Sequence, residues 1–163
     1  MELYEKGIFT KKDTDGIDLK FGNHEAVLEM LRRISFQDGE LGKLLGLGTK
    51  KAAGKVGHHS IDFAMQVKGL EMPAYHPNAA KGMALGYAVS ERGACHLRGA
   101  PLTEVLGGAD PLTIQGKARL FRDHQAESAL WNSAVLCCFP GFGMSLKELW
   151  QLVNAVTGFG YPS

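Results

Sequence analysis

Apolar residues recur at helical spacing in several separate stretches of this chain, and nowhere do they alternate persistently enough to predict a sheet. Residues 1–6 read as the tail of a helix, stopped by Gly7 in the left-handed conformation that glycine adopts freely. The polar run at residues 10–16 predicts a turn, and Leu19, Lys20 and Phe21 a short extended piece. Asn23 is placed to cap the next helix, with Glu25 in its first turn and Val27, Leu28, Leu31 and Ile34 on its apolar face. Asp38 and Gly39 end that helix.

Leu41, Leu44 and Leu45, followed by residues 50–56, predict a further helix interrupted by Gly42, Gly46 and Gly48. Residues 63–67 read as extended, and Pro73 and Pro77 keep residues 70–78 out of a helix. Residues 79–90 have helical composition, with Gly82 and Gly86 four apart, which would admit another backbone or a ligand. Residues 115–136 form the longest helical pattern, with Ala118, Phe121, Leu130 and Val135 apolar. In the last helix Ser145 and Glu148 form a capping box and Met144 can staple onto Leu149. Leu149, Leu152, Val153 and Val156 are expected to face a core, and Gly158 and Pro162 close the helix. The expected fold is all-α and multihelical, with residues 1–163 a single helical domain or fragment.

Composition narrows the partners. Apolar residues make up 45% and charged residues 21%, the ordinary globular mixture, and a net charge of +1 with no basic block longer than a pair gives no case for nucleic acid. No apolar run approaches the roughly 18 residues that cross a bilayer, and the first residues lack a signal peptide's pattern, so a cytoplasmic location with no membrane partner is expected. Three cysteines, two of them adjacent, do not suggest a disulfide framework.

Candidate chemistry concentrates in residues 66–99, where glycines alternate with Cys95, His96, Arg92 and Arg98, a setting that brings backbone close to something other than protein. His96 is the acid–base candidate, because an imidazole titrates near neutral pH, and Cys95 reads as a buried thiol. For Cys137 and Cys138 two readings stand: burial as small apolar side chains, or thiolate ligation of an iron–sulfur cluster, which usually takes four cysteines. His58 and His59 read as a solvated turn and His124 as a surface residue, while His76, between prolines, stays ambiguous.

The runs VKGLEMPAYHP, KGMALGYA and RGACHLRG, with a cysteine some forty residues further on after Asn132 and Ser133, resemble the tungsten-containing aldehyde:ferredoxin oxidoreductases. The resemblance extends from residues 1–7 through Asp15, Gly16 and the helix after His24 to residues 152–158, and covers the middle and later part of such an enzyme. It implies the α-helical domains 2 and 3 of that family. It also implies a tungsten or molybdenum bis-pterin centre with a neighbouring 4Fe-4S cluster, oxidising aldehydes to carboxylates and passing electrons to ferredoxin.

Carried over position by position, the resemblance makes His96 the histidine near the metal and Arg98 a basic residue near the pterin. The family's Asp-x-x-Gly-Leu-Cys loop matches residues 132–137, which implies Cys137 as a cluster ligand and Asn132 and Leu136 as pterin contacts. Asn132 stands where the family has an acidic residue and Val135 where it has a glycine, and an amide lacks the charge-assisted grip of a carboxylate on pterin N–H groups. His24 is aligned with a histidine at the family's dimer metal, which implies a homodimer. The pterin-cradling domain and three further cluster cysteines are expected upstream or on a companion polypeptide, so the chain alone is expected to be inactive. A different reading makes it a non-catalytic helical interaction or remnant domain that binds no cofactor.

Overall fold

The computed structural model describes residues 1–99 and 102–162, and its regular secondary structure is almost wholly helical. In order these are α1 (Glu2–Glu5), α2 (His24–Phe36), α3 (Gly39–Leu45), α4 (Thr49–Val56), α5 (Lys81–Val89), α6 (Leu102–Val105), α7 (Lys117–Ser133) and α8 (Leu146–Thr157). A two-stranded antiparallel hairpin, β1 (Gln66–Val67) and β2 (Leu70–Glu71), pairs Gln66 with Glu71 and Val67 with Leu70. The fold is all-α, and among the described residues no helix is long and apolar enough to cross a membrane. The chain divides into two compact units, the first formed by Met1–Met72 with Glu91–Ala94 and the second by Pro73–Ser90 with the chain from Cys95 onward.

The core of the first unit is Leu19, Ala26, Met30 and Leu41, with Tyr4, Phe9, Ile17, Ile34 and Leu45 packed around it. The Asn23 side chain accepts the Ala26 N–H and starts α2 as expected. The buried face of α2 is not the expected one. Ala26 and Met30 are inside, whereas Leu28 and Leu31 are 64% and 56% exposed. Small Ala26 lies one turn before Met30, and Ile34 one turn after it, and this neighbouring stripe meets Leu19 and Leu41.

Residues 38–39 do more than end α2: Asp38 is the N-cap of α3, and Gly39 is its first residue. α3 and α4 are separate helices broken at residues 46–48, where Gly48 takes a φ of +86°. A Cβ at Gly42 would lie 2.5 Å from the Arg33 carbonyl oxygen, so this glycine lets α3 approach the α2 backbone. The N-terminus of α4 is capped from a distance by Glu71, whose Oε1 accepts the Thr49 N–H at 2.7 Å, and that bond holds its carboxyl below the ordinary range. Leu19 and Lys20 form no strand, although Leu19 is buried; the extended stretch expected before residue 68 is confined to Gln66–Val67.

In the second unit α5 packs on α7. The contact rests on glycine: a Cβ at Gly86 would lie 2.6 Å from Phe121 Cε2, inside contact distance. Glu104, on the short helix α6 that sequence reading did not foresee, is buried and accepts the Gly82 and Met83 N–H groups at 2.9 and 3.0 Å. It thereby caps α5, whose N-cap Ala80 offers no side-chain acceptor. Lys117 Nζ pairs with Glu104 and also donates to the Asp110 carbonyl at 2.5 Å.

The capping box of α8 forms as expected, with Gly158 in the left-handed conformation at its end. Leu149 is wholly buried, but Leu152 and Val156 are 44% and 86% exposed, contrary to expectation. The residues after α8 fold back on it: the Asn154 amide exchanges two hydrogen bonds of 2.9 Å with the Tyr161 backbone, and Trp150 packs on the Tyr161 ring.

Candidate functional site

The second unit holds a cavity of about 420 Å³, in the usual range for small-molecule sites, and His96 is in its wall. Two pieces of chain position that imidazole. Tyr87 is buried on α5, and its hydroxyl donates to the Tyr75 carbonyl at 3.1 Å. The Tyr75 ring in turn lies against His96, with centroids 5.7 Å apart. Burial pushes the Tyr87 hydroxyl up to about 12, with Tyr75 and Cys95 adding to the shift, so it remains a neutral donor.

α7 supplies another wall. His124, Glu127, Ser128 and Trp131 follow one another at helical spacing and all line the cavity. His124 is therefore a cavity residue and not the surface residue expected. Its Nδ1 lies 3.8 Å from Glu127 Oε2. Leu102, Thr103 and Leu106 close a third side, and Phe139 and Phe142, whose rings stack with centroids 6.1 Å apart, a fourth. Apolar walls with a few inward polar groups suit a small organic ligand with one polar end.

The residues singled out in the sequence are only partly brought together. His96 and Cys138 line this cavity, whereas Arg98, Asn132, Leu136 and Cys137 are not among its described lining residues. Arg98 is half-buried and Cys95 buried. His24, His58, His59 and His76 are exposed; the two adjacent histidines both have positive φ, 50° and 56°, in the solvated turn expected. Leu136 lines a second depression of about 520 Å³ beside Trp150 and Tyr161.

The loop at residues 132–137 has a defined geometry. Ala134 caps α7, the Val135 N–H donates to the Asn132 carbonyl, and the Leu136 N–H to the Trp131 carbonyl, each at 3.1 Å. This is a Schellman ending, which calls for a left-handed residue directly after the cap. Val135 occupies that position with a φ of +57° and 90% exposure. A β-branched side chain is strained there, and glycine would not be.

Cys137 and Cys138 are exposed thiols that follow this turn. Among the described residues no group of three or more His, Cys, Asp or Glu side chains is gathered as a metal site. By themselves these two thiols do not make the set of four that such a cluster usually takes. Thr103 Oγ1, in the cavity wall, is buried with no hydrogen-bond partner among the described residues.

The family model for aldehyde ferredoxin oxidoreductase, domains 2 and 3, matches residues 1–163. The whole chain is 36% identical to a tungsten-containing aldehyde ferredoxin oxidoreductase of Thermococcus kodakarensis and 35% identical to one of Pyrococcus furiosus, covering 27% of each. Over 97% of its length it is 32% identical to an aliphatic sulfonate oxidoreductase, WOR-like subunit, of Pyrococcus furiosus, covering 23% of that protein. The chain thus spans about a quarter of the length of the curated relatives it matches. Matched from end to end by that model, it belongs to the aldehyde ferredoxin oxidoreductase family, in the part that forms domains 2 and 3.

Proposed function

We propose that this chain forms one wall of an aldehyde-oxidising site, with His96 as its proton-handling residue. The observation that carries the reading is the placement of His96, braced by Tyr75, in an apolar cavity of about 420 Å³. Oxidation of an aldehyde to a carboxylate adds an oxygen from water and releases two electrons and three protons, one of them as the new C–O bond forms. An imidazole in the cavity wall can accept that proton or hold the carbonyl oxygen by a hydrogen bond. Leu102, Leu106 and Trp131 would hold the apolar body of the substrate.

When bound, a tungsten or molybdenum bis-pterin centre and a 4Fe-4S cluster supply the two-electron acceptor and the relay to ferredoxin. On this chain Cys137 would provide one cluster ligand, and Arg98, Asn132 and Leu136 would contact a pterin. The remaining ligands come from polypeptide outside these 163 residues, on the same chain or a companion.

Two tests bear on this. In the complete assembly, His96→Ala should lower turnover by about 10²-fold or more, within the usual worth of a general base, while tungsten, iron and pterin content stay unchanged. Unchanged turnover would remove the proton-handling role. Metal and pterin analysis of the natively purified assembly tests the cofactor assignment, and absence of all of them would sink it.

A second reading, a helical remnant that grips no cofactor, is favoured by one observation: Val135 strains the turn from which Cys137 emerges, and neutral Asn132 opens the same loop. The same cofactor analysis separates the two.

A further inference from the structure

The cavity has a charge asymmetry that its catalytic reading does not use. Among its described lining residues Glu127 is the one carboxylate, and none is lysine or arginine. The remaining polar groups there include two imidazoles, the Tyr75 hydroxyl and the Ser128 hydroxyl, all able to donate to an oxygen. Donors of this kind suit a carbonyl oxygen, while the Glu127 carboxylate, in a cavity whose walls are largely apolar, opposes a second negative charge by Coulomb repulsion.

We propose that Glu127 is a specificity determinant: it makes the cavity accept a neutral carbonyl compound with an apolar body and reject the corresponding carboxylate. The inference rests on the reading of this cavity as an aldehyde site. There it has a direct consequence, since substrate is neutral and product anionic: the residue that tolerates the first expels the second. Glu127 reaches the cavity because it lies one turn after His124 and one turn before Trp131 on the same face of α7, and its carboxylate stands beside His124 rather than beside a cation of fixed charge.

The test uses two unreactive probes of one shape, phenylacetamide and phenylacetate, titrated into the 163-residue chain at pH 8, where an ordinary imidazole is neutral. Binding is read from the NMR signals of Tyr75 and His96. The amide should bind about tenfold more tightly than the carboxylate. Glu127→Gln, at a half-exposed position, should raise phenylacetate affinity about tenfold and leave phenylacetamide unchanged, with circular dichroism confirming the fold. Equal affinities for the two probes in the unaltered chain, or a Glu127→Gln chain that shifts both or neither, would overturn the inference and leave the aldehyde reading standing. If neither probe perturbs Tyr75 or His96, this chain's cavity does not take a carbonyl compound and the inference falls, while the aldehyde reading is decided separately by the turnover of His96→Ala in the complete assembly.

Discussion

Glu104 is paired with Lys117 inside the second unit, and its two carboxylate oxygens receive the first N–H groups of α5. The side chain of Glu104 is 0% exposed and that of Lys117 6%, so neither charge has water to fall back on. The pair ties α6 to the start of both α5 and α7, and the same short helix presents Leu102 and Thr103 to the cavity.

Glu104→Gln should therefore destabilise the fold by about 3 kcal/mol, because removing one partner strands the other charge in a buried site. Lys117→Met should cost a similar amount. Since the two act as a unit, the double variant should lose less than the sum of the single losses. Urea unfolding of the four proteins checks this; strictly additive losses would show that the residues act independently.

Val135→Gly should stabilise the chain. The left-handed conformation costs an ordinary residue about 1–2 kcal/mol, part of which is offset by the greater freedom of glycine in the unfolded chain, leaving a gain of about 0.5–1 kcal/mol. Val135 is 90% exposed, so no packing is lost. Val135→Ala keeps its Cβ and should give no comparable gain. Thermal unfolding of both variants separates relief of backbone strain from a simple effect of side-chain size.

Glu29 is held at about 2, well below its ordinary 4.5, by hydrogen bonds from Arg32 and Arg33. A carboxylate depressed in the folded state stabilises it above its unfolded value, and the contribution disappears as pH falls through the folded value. The stability gap between the unaltered chain and Glu29→Gln should thus be constant above about pH 4.5 and closed near pH 2. The group is on the surface, so the gap should also shrink in roughly 1 M salt. A gap that persisted at pH 2 would mean that Glu29 acts through packing rather than charge.

Local signals in the sequence were legible. Asn23 and the Ser145–Glu148 box mark helix starts because a cap involves residues only three apart, and the structure has both. The family motif around His96 was equally plain. What failed were choices that depend on distant partners. α2 carries apolar residues on two adjacent stripes, and only the arrival of Leu19 and Leu41 decides for Ala26 and Met30. The pairing of Glu104 with Lys117 spans thirteen positions and depends on where α6 lies, so no local pattern signals it. His124 was misplaced for a related reason: the spacing of His124, Glu127, Ser128 and Trp131 was there to be read, but its polar members disguised an inward face.

The ring of Phe121 has one further consequence. A Cβ placed on Gly86 or on Gly99 would come within 2.6 or 2.9 Å of the same atom, Cε2 of that ring. One aromatic edge therefore acts as a gauge between α5 and the turn that leaves His96, setting how near each backbone comes to α7. The three positions can drift only in concert. A methyl group gained at either glycine calls for a smaller side chain at 121, and a smaller side chain would loosen the other contact, along with the segment that carries the imidazole.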